Sequence, residues 1–325
     1  MLKRLTWKMV KLWLLVHITN ASFIKNLKRG IVMKSDIIER YNQLVQPYVQ
    51  QQEKIPLINF WRKAEFYPGT FILKDEYPIL KENNLLISEN EIATNTGLNK
   101  IHPKLQHEPV VGDLVSGNFF IINLNPRAGV PYAQEYKNWA NPELSKIALK
   151  TAQQKDAQNP FYYLTPEGLK TDGGKWWTAR LGIKNFIEKF TPNQNIIIDG
   201  KSYPFEFIFG VLKAQFCDIE ICPYHSNKWN SKLENLILDG NLKSSTMAIE
   251  FVRTIIADPE KNIFIRGFED TSTVAKTLRK FIPELKSELP NVHYIPCQQT
   301  PYLTPKSVAG KKLYSCIAKW ADKIN

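Results

Sequence analysis

The sequence predicts an α/β protein: a three-layer α/β/α sandwich around a central four-stranded parallel sheet, preceded by a mostly irregular and helical N-terminal extension. Three observations predict it. Four short, nearly continuous apolar runs occur beyond residue 117, the texture of strands buried on both faces. Helical patterns separate them, and that alternation is the signature of parallel strands joined by helical crossovers. Each run ends in polar, aromatic, proline or glycine residues, at the sheet edge where such folds bind ligands.

The runs are Phe119-Phe120-Ile121-Ile122, Phe216 to Ile221, Ile263-Phe264-Ile265 and Val292-His293-Tyr294-Ile295. The helical patterns cover about 176–190, about 205–214 (Phe205, Ile208, Phe209 and Leu212 on one face), about 245–257, about 271–283 and about 305–323. Residues 53–117 carry Pro56, Pro68, Pro78, Pro103 and Pro109 and read as an extension wrapped on the main domain. The expected organisation is a basic leader at 1–32, an extension at 33–116 and an α/β domain at 117–325.

The leader holds Lys3, Arg4, Lys8, Lys11, Lys25, Lys28 and Arg29 and no acid, so removing those seven charges from the net +12 leaves +5 for residues 33–325. The body is thus only mildly basic, and the total charge overstates the case for a polyanionic partner. The apolar run Met9–Val16 is interrupted by Lys11, is too short to span a membrane and lacks a small-x-small cleavage site. The leader is therefore read as non-native or dispensable, with Met33 an alternative start before a helix at about 35–46. Cys217, Cys222, Cys297 and Cys316 match no metal spacing and read as free thiols in a reducing cytoplasm; no cofactor and no membrane partner is expected.

The strand ends carry the chemistry. After the first comes Asn123-Leu124-Asn125-Pro126-Arg127-Ala128-Gly129, in which Pro126 ends the strand and holds Asn125 extended. After the second comes Cys222-Pro223-Tyr224-His225, after the third Arg266-Gly267, and after the fourth Pro296-Cys297-Gln298-Gln299-Thr300-Pro301. Any one of these suits a polar turn; four converging at one sheet edge point to a site.

Strand-Asn-x-Asn-Pro resembles the first motif of the uracil-DNA glycosylase superfamily. Asn123 stands at that motif's first Gly, Asn125 at its catalytic Asn or Asp, and Arg127 where many members have Gly. Glu220-Ile221-Cys222-Pro223 is similar to the Asn-x-Cys-Pro of single-strand-selective members, whose Asn reads the flipped base. Ile265-Arg266-Gly267 stands at the family's third strand, and 296–305 at its His-Pro-Ser segment. The resemblance spans about residues 117–320. It implies flipping and excision of a base from DNA by a monomer, with Asn125 positioning the attacking water.

Two departures bear on the substrate. The family's second-motif His, which stabilises the leaving base, is absent; Gln298, Gln299 and His225 are the candidate replacements. Glu220 stands where the family has Asn. A carboxylate accepts from the N4 amino group of cytosine, so a cytosine-derived base, such as a modified cytosine of phage DNA, is expected rather than uracil. The sequence is compatible with the antiviral bacterial glycosylases that attack hypermodified cytosine. Tyr132, Trp139 and Tyr224 are candidate stacking residues, with Asn123, Glu220 and Gln299 in the base pocket. Gly173-Gly174-Lys175-Trp176-Trp177 reads as a flexible pair before a helix. Lys175 and Arg180, with Arg127 and Lys306, are candidate phosphate contacts.

Two other classes remain open from sequence. Glu206, Asp218 and Glu220 suit a Mg-dependent nuclease, Asp218 and Glu220 lying on one face of a strand. The missing His also suits a nucleic-acid-binding protein that kept the fold and lost the reaction.

Overall fold

The computed structural model describes residues 51–129, 142–155, 160–188, 194–266, 273–295 and 303–324. The chain forms two compact units, Pro56–Lys319 and a second comprising Met1–Ile55 with Trp320–Asn325. The second is described only at 51–55 and 320–324. The sheet and the candidate site lie in Pro56–Lys319, and the expected helix at about 35–46 lies outside the described residues.

In chain order the helices are α1 (Pro56–Arg62), α2 (Glu76–Glu82), α3 (Glu89–Ala93), α4 (Pro142–Ala152), α5 (Asp172–Arg180), α6 (Lys184–Glu188), α7 (Phe205–Gln215), α8 (Ser231–Leu238), α9 (Lys243–Ile256), α10 (Thr273–Phe281) and α11 (Val308–Ile324). The strands are β1 (Val110–Val111), β2 (Phe119–Asn123), β3 (Asn195–Ile198), β4 (Lys201–Pro204), β5 (Phe216–Glu220), β6 (Asn262–Arg266) and β7 (Val292–Ile295). No helix among the described residues is long and apolar enough to cross a membrane.

The class is α/β, and the four expected strands pair in parallel in the order β5-β2-β6-β7. The sheet nevertheless has five strands and is mixed, which corrects the expectation of four parallel strands. β1 runs antiparallel along β5, Val110 opposite Ile219 and Val111 opposite Asp218. Two residues flanked by Pro109 and Gly112 give no periodic signal, so this strand was invisible to pattern. Gly112 has a φ of +127°, and a Cβ there would lie 2.6 Å from Cys217 Cα, so only glycine lets the chain leave β1 this close to β5. β3 and β4 form a separate antiparallel hairpin, also unforeseen.

Every residue of β2 and β5 is buried, so both sheet faces are covered. On one face Phe120 meets Phe251 of α9 at 6.2 Å between ring centroids. On the other, Phe216 packs edge-on against Trp177 of α5 at 5.7 Å and against Phe161 at 5.3 Å. That second face also carries Asn123, Asp218 and Glu220, because alternate residues share a face.

The helix expected over about 176–190 is two helices. Gly182, at φ +68°, donates to Ala179 O while Ile183 donates to Thr178 O, a double bond pattern that closes α5 before α6 starts. The Gly173-Gly174 pair does not precede the helix: it lies in the first turn of α5, which Thr171 caps by accepting from Gly174 N. A Cβ on Gly173 would lie 2.2 Å from Tyr163 Cε1, so the glycine serves close packing against that ring.

Phe216 is fully buried and touches both aromatic neighbours over the site face. Its replacement by Ala is expected to cost about 3–5 kcal/mol, read as a lower urea midpoint at unchanged m-value.

Candidate functional site

The carboxyl ends of β2, β5 and β6 open into a pocket of about 210 Å3. Its floor is Asn123, Asp218, Glu220 and Arg266; one wall is Asn125, Pro126, Arg127 and His225, and the other is Tyr163, Gly173, Trp176 and Trp177, with Glu108 and Val111 beside β5. The parallel register sets Asn123 opposite Glu220 and Ile121 opposite Asp218, which brings the three polar side chains onto one face.

Asn125 is held by its amide nitrogen. Nδ2 donates to Ser226 Oγ at 2.9 Å, to Pro126 O at 3.1 Å and to Tyr224 O at 3.3 Å. Two of these partners are carbonyls, which only accept, so the nitrogen must face them and Oδ1 is the amide atom left free to accept; the side chain borders the pocket. Ser226 Oγ in turn donates to Lys228 O.

The floor is an acid cluster. Asn123 Nδ2 donates to Asp218 Oδ1 at 2.6 Å, and Asp218 shares a hydrogen bond with Glu220. Burial pushes both carboxyls above their ordinary range. For Glu220 the charges of Asp218 and Glu108 push the same way, while Arg266 pulls down. For Asp218 the Asn123 hydrogen bond pulls down, Glu108 pushes up and Arg266 again pulls down. Burial and each other's charge disfavour ionising both carboxyls at once, so the pair favours one shared proton.

Glu108 is the third acid. Its Oε1 accepts from the Tyr162 hydroxyl and from the Tyr163 hydroxyl at 2.6 Å, and its Oε2 lies 3.0 Å from His225 Nε2. Three polar atoms of pocket residues are buried and, the Asp218–Glu220 contact apart, find no hydrogen-bond partner among the described residues: Asn123 Oδ1, Glu220 Oε2 and Arg266 Nε. Buried polar atoms without partners are costly, and their grouping at one cavity makes it the candidate polar-ligand site. Among the described residues no group of three or more His, Cys, Asp or Glu is arranged to hold a metal ion.

Of the residues singled out in the sequence, Asn123, Asn125, Arg127, Asp218, Glu220 and His225 meet in this pocket. Tyr224 does not line it; its buried hydroxyl donates to Glu76 while its carbonyl braces Asn125. Lys175 is exposed and paired with Asp172, and Arg180 lies over the Trp176 ring at 4.9 Å. Lys306 is exposed just before α11, and Glu206 is exposed on α7, not among the pocket residues. Tyr132, Trp139, Gln298 and Gln299 lie outside the described residues.

Sequence reading missed Glu108, Tyr163 and Trp176 as pocket residues, and Tyr162 as a partner of Glu108. Glu108 precedes the two-residue strand that pattern could not find. The adjacent tyrosines and tryptophans were the available signal for an aromatic wall. No protein-family model, no curated protein and no solved structure matches the chain.

A buried carboxyl with a raised pKa disfavours folding once the unfolded state loses its proton. The folded state binds the extra proton, so stability is full below the ordinary carboxylate range and falls as pH rises above it. Wild-type unfolding free energy is expected to fall between about pH 5 and about pH 8, by up to about 1.4 kcal/mol per pH unit for one retained proton. Urea titrations of Glu220→Gln are expected to show a shallower slope.

Proposed function

We propose that the chain is a DNA N-glycosylase: it takes a flipped base into this pocket and hydrolyses its bond to the sugar, leaving an abasic site. The observation that carries the reading is Asn125, whose amide nitrogen is clamped by two carbonyls and a hydroxyl, leaving Oδ1 as acceptor beside a pocket bordered by unsatisfied polar atoms. A fixed acceptor there orients a water toward the sugar, which develops oxocarbenium character as the bond breaks.

The half-buried Trp176, backed by Arg180, offers the flat face a base requires, beside Tyr163 and Trp177. Asn123 Oδ1 and Glu220 present acceptors to an exocyclic amino group, which favours a cytosine-type base. Arg127, exposed at the mouth, is the nearest candidate for the flanking phosphate, with Lys175 and Lys306 as further candidates. α9 and α5 on opposite sheet faces support a three-layer sandwich, and the reaction as drawn needs no partner chain and no cofactor.

The test is mass detection of bases released from oligonucleotides carrying uracil, cytosine and 5-hydroxymethylcytosine at one position. Release of a cytosine-type base in EDTA, with alkali-labile sites in the DNA, is expected, and Asn125→Ala is expected to slow it at least about 100-fold. Direct strand breaks abolished by EDTA identify a nuclease instead, and unchanged DNA that is nonetheless bound identifies a binding module.

A further inference from the structure

We propose that Asp218 and Glu220 act as one acid that delivers their shared proton to ring nitrogen N3 of the departing base, so that a cytosine-type base leaves neutral. This rests on the glycosylase reading.

The argument begins with placement. Asp218 and Glu220 are two apart on β5, on the face that floors the pocket, and are hydrogen-bonded to each other. Asn123 donates to Asp218 Oδ1, and Glu220 Oε2 is a buried carboxyl oxygen that has, its acid neighbour apart, no hydrogen-bond partner among the described residues. Glu220 is 6% exposed, so what little of it is accessible faces the pocket it lines. A ligand placed there meets an O–H donor or an oxygen acceptor, depending on where the shared proton sits.

The surrounding charges favour keeping the proton. Glu108 opposes a second negative charge on the pair, and its own oxygens are committed to two tyrosine hydroxyls and the His225 contact. Arg266, at the end of β6, works the other way, and burial outweighs it. Asp172 on α5 and Arg127 after β2 are exposed at the pocket's rim, where solvent screens them.

The chemistry explains why an acid suits this position. Uracil departs as an anion whose charge spreads onto two carbonyl oxygens, so a neutral or positive donor suffices. Cytosine carries an amino group in place of one carbonyl and leaves poorly as an anion. Protonating N3 turns it into a neutral leaving group, which is general-acid catalysis. In the step, the carboxyl O–H bond breaks and its proton passes to N3. The C1′–N1 bond breaks with its electron pair going to N1, and the base departs neutral. The water held by Asn125 bonds to C1′ and its proton returns to the Asp218–Glu220 pair, restoring the acid. No oxidant, metal or further reactant is consumed.

Single-turnover release of base is measured from about pH 5 to about pH 9 on oligonucleotides carrying cytosine or 5-hydroxymethylcytosine. For wild type the rate is expected to fall about tenfold per pH unit once the pair loses its proton. Glu220→Gln and Asp218→Asn are each expected to slow release at least about 100-fold, with undiminished thermal stability and unchanged affinity for an oligonucleotide carrying an abasic-site analogue. The wild-type profile needs no variant, so misfolding of either leaves the test standing. A wild-type rate that is flat or rises across this range, or variants that retain wild-type rates, overturns the proposal while leaving the glycosylase reading intact. No base release by wild type at any pH overturns both.

Discussion

The parallel pairing of β2 with β5 is the constraint on which the site depends. It fixes Asn123 opposite Glu220 and sets Ile121 beside Asp218, so three polar side chains share one dry face at the sheet's carboxyl edge. A register slip of one residue would send them to the opposite face, where the strands' apolar residues pack under α9. The apolar rows of these strands, buried at every position, are what forbid that slip. Hydrophobic burial thus fixes where the acids stand, and the acids are tolerated because each has partners in the cluster or faces the cavity.

Around that pairing the chain adds support from distant segments. Glu76 of α2 accepts from the Tyr224 hydroxyl and from the backbone N–H and hydroxyl of Ser244 at the start of α9. It thereby ties α2, the loop after β5 and α9 into one block. Tyr224 carries that restraint to the pocket wall through its carbonyl, which accepts from Asn125. Glu108 acts similarly on the other side, joining the segment before β1 to Tyr162, Tyr163 and His225. Residues before β2 therefore help build the site as well as the sheet.

The sequence made the four parallel strands legible because each is a continuous apolar run, and it made Asn123, Asn125 and Glu220 legible because they stand where those runs end. α7 was equally plain, since Phe205, Ile208 and Leu212 repeat at helical spacing and are buried. What escaped was set by tertiary contact. β1 is two residues long and exists only because β5 offers it an edge. Gly182 broke a helix that apolar spacing alone would have continued. Glu108 and Trp176 belong to segments whose pattern says nothing of a pocket, and they join it because β1 and the close packing of Gly173 on Tyr163 bring them there.

The clamp on Asn125 has a consequence for what the position tolerates. Its nitrogen points at two main-chain carbonyl oxygens. An aspartate there would set a carboxylate oxygen against both, lone pair to lone pair, with only the serine hydroxyl able to turn and donate. The loop is thus wired for an amide, and exchanging the two side chains would require the backbone at Pro126 and Tyr224 to rotate away. In this chain the choice between asparagine and aspartate is made by the peptide groups behind the residue as much as by whatever the pocket in front of it holds.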